Sequence, residues 1–135
     1  MHKLAVIPFD VAKDLKNLGF NWYCDYNYYM KTNHKIFKQG ELLYGATYNE
    51  MDWTSAPEQV LVVKWFREVH NIHIIVEIAS GSKTSDYVYS WNVWRNHKHG
   101  YFDYNPMNGS DWEGYNNFEE AETEGIKAAI QYLKK

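Results

Sequence analysis

Apolar and polar positions change rhythm several times along the chain, and the clearest passage runs from Ser55 to Ile78. Ser55 and Glu58 have the S-x-x-E spacing of a capping box, and Pro57 tolerates a first helical turn because no amide is needed there. A helix is expected to start at this point. Leu61, Val62, Trp65, Phe66 and Val69 then recur at intervals of three and four, while Glu58, Lys64, Arg67 and Glu68 fall mainly on the other side. Asn71 is placed to end the helix in a left-handed conformation. Beyond it, Ile72, Ile74, Val76 and Ile78 alternate with His73, Ile75, Glu77 and Ala79, which predicts a strand with one apolar face.

The same periodicities extend in both directions. Val11, Leu15 and Leu18 form a short stripe that Pro8 opens and Gly19 closes, a helix of about three turns. From Phe20 to Met30, rings fall on both parities, which reads as a strand with aromatic groups on both faces. Ser80 to Lys83 supplies turn residues. After it Tyr87, Tyr89, Trp91 and Val93 alternate with Val88, Ser90, Asn92 and Trp94, the second arm of a hairpin. A short strand around Gly100 to Tyr104 precedes a loop that begins at Pro106. Asn117 and Glu120 repeat the capping spacing. Phe118, Gly125, Ile126, Ala129, Ile130 and Leu133 then line a last helix whose stripe is interrupted by Glu122.

The resulting order is α-β-(irregular)-α-β-β-β-α. Hairpin-length links make the later strands antiparallel, so the expected fold is a single α+β domain over residues 1–135, its helices packed on one face of a mainly antiparallel sheet. Residues 1–54 would hold the first helix, the aromatic strand and an irregular segment, and residues 55–135 an α-β-β-β-α unit. The pattern leaves room for local disorder around Lys31 to Tyr48 and Pro106 to Gly114.

Composition narrows the class. At 135 residues, with 45% hydrophobic and 18% aromatic residues, the chain can bury a core without disulfides or a structural metal. A net charge of -3 gives no general attraction to phosphate backbones, so nucleic acid is not favoured. Cys24 is the lone cysteine, and no apolar leader or membrane-spanning run is legible, which makes the cytoplasm the default expectation.

One resemblance is carried by separate blocks: Phe9 to Phe20, Ser55-Ala56-Pro57, Trp65 to Ile74, Phe118 to Ala121, and Gly125 to Ile130. In this order they resemble a family of small proteins encoded by Bacteroides-type gut bacteria and by their phages and other mobile elements. The resemblance implies a bacterial or phage-borne origin and transfers no activity, cofactor or catalytic residue. The aromatic segments between the blocks lie outside its pattern.

Candidate chemistry is sparse. His70 with His73, and His97 with His99, have spacings zinc can use, but zinc needs three or four converging ligands, so no metal site is assigned. The stretch Asp103 to Glu113 is rich in oxygen donors, yet Met107, Gly109 and Gly114 break the calcium-loop pattern. Glu77, Asp86, Asp103, Asp111 and Glu113 are candidate acids and bases whose spacing sets no two of them across a cleft, so no catalytic residue and no cofactor are assigned. The succession from Pro57 to Lys135 also matches double-stranded-RNA-binding domains. Glu119, Glu120, Glu122 and Glu124 at the start of the last helix would instead repel phosphate.

The aromatic excess is the best functional lead, because rings in strands can anchor protein interfaces or stack on sugars. Trp91, Trp94, Arg95, Tyr101 and Trp112 cluster along the hairpin and the loop after it. Trp91 and Trp94 have opposite parity, so at least one is expected to leave the helix-covered face. The expectation is a non-enzymatic interaction module that binds a protein partner or pairs as a homodimer. The alternative is a small-ligand or carbohydrate-binding domain with Trp and Tyr platforms.

Overall fold

The computed structural model describes residues 5–32, 36–44, 52–78, 89–96, 102–108, 115 and 117–134, with backbone alone at 96 and 102–108. These residues form three helices and two three-stranded antiparallel sheets, an α+β fold. The chain divides into two compact units, Met1–Glu58 and Gln59–Lys135.

In the first unit, helix α1 (Phe9–Asn17) has Pro8 as its extended N-cap residue, whose carbonyl accepts from the Ala12 amide at 2.9 Å. Val11, Ala12 and Leu15 are buried. The helix ends because Gly19 turns left-handed (φ 94°), so that its amide reaches the Lys16 carbonyl at 3.1 Å and the Phe20 amide reaches that of Leu15 at 3.0 Å. This paired closure satisfies carbonyls the helix would otherwise leave open, at a backbone conformation suited to glycine.

Strands β1 (Tyr26–Tyr29), β2 (Leu42–Tyr44) and β3 (Trp53–Ser55) follow, with β1 central in the order β2-β1-β3. The aromatic strand expected over Phe20 to Met30 is thus a four-residue strand, and the segment read as irregular contributes both of its neighbours. Tyr28 stands opposite Leu42 and Thr54, and its hydroxyl donates to the Ile7 carbonyl at 2.6 Å. The Phe9 ring lies 5.5 Å from the Tyr28 ring, and Thr54 Oγ1 donates to the Ala12 carbonyl at 3.4 Å. This face therefore packs on α1. Tyr29, one residue on, points the other way and meets Trp53, its register partner, edge to face at 5.1 Å.

In the second unit, helix α2 (Gln59–His70) starts one residue after Glu58. The capping box expected from Ser55 does not form, because Ser55 belongs to β3 and stands opposite Asn27. Val62, Trp65 and Phe66 are buried as their spacing predicts, whereas Val69 is half exposed. Asn71 adopts φ 55° and is the single residue between α2 and strand β4 (Ile72–Ile78). Asparagine tolerates that region better than most residues, so helix passes to strand without a loop.

Strand β4 pairs in unbroken antiparallel register with β5 (Tyr89–Asn96), from Ile72 opposite Arg95 to Ile78 opposite Tyr89. Strand β6 (Phe102–Asn108) pairs on the other side of β5 with a register shift between Asn92 and Trp94. Helix α3 (Phe118–Lys134) opens with Asn117, whose Oδ1 accepts from the Glu120 amide at 2.7 Å, the cap its sequence predicts. Ala121, Gly125, Ile126, Ala129 and Ile130 are buried along its stripe. Full burial of side chains such as Phe66, Ile72, Ile126 and Ile130 contributes about 1.5–3 kcal/mol each.

Helix α3 lies along β5. Near its start the Phe118 ring is 6.0 Å from Tyr89, and near its end the Tyr132 ring is 5.7 Å from the Arg95 guanidinium. From Phe118 to Tyr132 the helix rises about 21 Å, and from Tyr89 to Arg95 the strand spans about 20 Å, so the two elements match in length and direction.

Candidate functional site

Alternation along β4 and β5 sorts their side chains onto two faces. One face carries Ile72, Ile74, Val76 and Ile78 with Tyr89, Trp91, Val93 and Arg95, paired directly across the strands. It is the face against α3. A Cβ built on Gly125 would stand 2.9 Å from Ile74 Cγ2 and 3.3 Å from Trp91 Cβ, so the helix backbone approaches the sheet here as only glycine allows. The other face carries His73, Ile75 and Glu77 with Ser90, Asn92 and Trp94.

The five residues that the sequence groups as a recognition cluster separate accordingly. Trp91 packs against α3, and its Nε1 is buried with no acceptor among the described residues. Arg95 is exposed and lies over the Tyr132 ring, a cation–π contact within the second unit. Trp94 occupies the opposite face, between His73 and the register position of Tyr104. Tyr101 and Trp112 lie outside the described residues.

Around Trp94 the surface mixes apolar and polar groups. Ile75 is 45% exposed, and Asn92 Nδ2 donates to Glu77 Oε1 across the strand pair. Burial, with the nearby Arg67 charge, lowers the His73 pKa below the ordinary histidine value. His73 is therefore neutral at pH 7. The arrangement offers ring, methyl and amide surface on this face.

The histidine pair does not converge. His70 ends α2 with its ring 4.7 Å from Trp65, while His73 stands in β4 opposite Trp94. Among the described residues no group of three or more His, Cys, Asp or Glu side chains could hold a metal ion. His97, His99, Asp86, Asp111 and Glu113 lie outside those residues, as does the side chain of Asp103. Burial is the chief cause that raises the Cys24 thiol to about 11, against a hydrogen bond from Ser55 that lowers it, so the group is a neutral thiol rather than a nucleophile at pH 7.

A second aromatic cluster lies in the first unit and has no periodic signal in the sequence. Tyr29, Phe37 and Trp53 meet pairwise at 5.1–5.3 Å, Tyr29 and Phe37 stacked and the other pairs edge to face. Lys16 Nζ closes over its margin, donating to the Trp53 carbonyl at 3.0 Å. Nearby in sequence, Tyr23 and Tyr44 are 86% and 75% exposed, and Tyr44 meets Tyr26 edge to face at 5.4 Å.

No helix among the described residues is long and apolar enough to cross a membrane. Comparison of the chain with protein-family models, with curated proteins and with solved structures finds no match.

Proposed function

We propose that this protein is a non-enzymatic interaction module, carried by a phage or mobile element, that engages a protein partner through the face of its second sheet bearing Trp94. The observation that supports this reading is the division of the two tryptophans. Trp91 is consumed by packing against Gly125, whereas Trp94 stands on the face turned away from α3, beside His73 and the half-exposed Ile75. A large amphipathic ring surrounded by a methyl group, an amide and a neutral imidazole has the composition of an interface centre.

The alternative reading, a small-ligand or carbohydrate-binding domain, is favoured by the exposure of Tyr23 and Tyr44 in the first unit, since open tyrosine rings stack on sugars. Native mass spectrometry together with a glycan array separates the two. Association or partner binding lost in Trp94→Ala and kept in Tyr44→Ala supports the interaction module. A monomer that binds a defined sugar, and loses it in Tyr44→Ala, overturns it.

A further inference from the structure

Strand β4 is an edge strand in the order β4-β5-β6, and among the described residues no strand pairs with its outer side. Natural sheets blunt such edges with short strands, charged side chains, proline, a bulge, or a covering helix or loop. The other edges here follow that rule: β2 and β3 have three residues each, and β6 contains Pro106 and the register shift. Strand β4 has seven residues, unbroken pairing, no proline and no lysine; Glu77 is its one carboxylate, and Ile75 and Ile78 are 45% and 58% exposed. It is built like a strand that expects a neighbour.

Its sequence, Ile72-His73-Ile74-Ile75-Val76-Glu77-Ile78, says which neighbour. A second copy related by a two-fold axis through Ile75 sets Ile75 against its own counterpart, His73 against Glu77, Ile74 against Val76 and Ile72 against Ile78. Opposed residues of an antiparallel pair share a face. The pairs on the α3 side would then all be aliphatic, and those on the Trp94 side would be one isoleucine pair flanked by two imidazole–carboxylate pairs. Moving the axis to Ile74 sets His73 against Ile75, and moving it to Val76 sets Glu77 against Ile75, so one register alone satisfies both faces and uses the whole strand.

We infer that the chain forms a symmetric dimer by antiparallel β4–β4 pairing about Ile75, which joins the two second-unit sheets into one six-stranded sheet. The inference rests on the interaction-module reading and names one partner, a second copy of this chain. A two-fold axis normal to the sheet keeps both Trp94 side chains on the same face, so pairing doubles the surface proposed for a further partner.

Sedimentation velocity and cysteine cross-linking test the register. At about 100 µM the wild type is expected to sediment at twice the 16.1 kDa chain mass. His73→Glu, which opposes two carboxylates at each end, is expected to be monomeric, and the exchange His73→Glu with Glu77→His to recover the dimer. In a Cys24→Ser background, oxidised Ile75→Cys is expected to cross-link at least tenfold faster than Glu77→Cys. Circular dichroism identifies any variant that fails to fold, and the cross-linking comparison stands without His73→Glu. A wild-type monomer, or equal cross-linking at the two positions, overturns the inference. If a dimer persists with equal cross-linking, or Trp94→Ala alone dissociates it, the β4 register falls while the interaction-module reading survives.

Discussion

Gly125 sits so near Ile74 that a methyl group in place of its hydrogen would lie 2.9 Å from the Ile74 Cγ2 carbon. The neighbour on the other side, Trp91 Cβ, is 3.3 Å away, so neither residue can yield without moving β4 or β5 against α3. Gly125→Ala is therefore expected to lower stability by about 1–3 kcal/mol, despite the better helix propensity of alanine. Urea unfolding followed by circular dichroism measures it, and an unchanged midpoint would contradict the close approach.

Tyr28→Phe removes the hydroxyl that donates to the Ile7 carbonyl in a buried setting. The unpaired carbonyl makes the loss larger than for a solvent-facing bond, about 1–3 kcal/mol. Thermal unfolding of the variant checks this value.

Trp91 and Trp94 are expected to respond oppositely. Trp91→Ala opens a void beneath α3 and should cost about 3 kcal/mol, whereas Trp94→Ala should cost less than about 1 kcal/mol while abolishing partner binding. Equal destabilisation by the two changes would mean that Trp94 also belongs to the core.

How much of this was legible in the sequence depends on the range of the interaction. Asn71, Asn117, Gly19 and the stripe through Gly125 act within one turn or one joint, and each is where local pattern puts it. Opposite parity of Trp91 and Trp94 was legible as well. Which face the helix takes was not, because that depends on packing between distant segments. The Tyr29, Phe37 and Trp53 cluster joins three stretches with no shared period, and β2 and β3 are too short to show alternation. Gln59 carries no apolar signal at all, yet it is buried, since its Nε2 donates to the Glu119 carbonyl at 3.1 Å and to Thr123 Oγ1. Ser55 carried a sound capping signal that strand pairing with Asn27 overrode.

Acid is expected to weaken the second unit through His70. Burial, then the Arg95 charge, lowers its pKa in the folded chain, and its Nε2 is buried without a hydrogen-bond partner among the described residues. The unfolded chain therefore takes up a proton first. Stability is full above the ordinary histidine value of 6.5 and is lost as pH falls through it, levelling below the depressed folded value. His73, lowered by burial and by Arg67, adds in the same direction. Denaturation at pH 7.5 and pH 5 should show the loss, and His70→Phe should shrink it. A pH-independent midpoint would contradict the assignment.

Cys24 should alkylate slowly. A thiol raised from 9.0 to about 11 has roughly 100-fold less thiolate at pH 8, so iodoacetamide should label it correspondingly more slowly than a free cysteine, and faster after unfolding in urea.

The one-residue passage at Asn71 leaves no slack between α2 and β4. The left-handed turn at that one residue therefore sets the angle at which strand leaves helix, and a β-branched residue there, which resists positive φ, would have to reshape the ends of both elements.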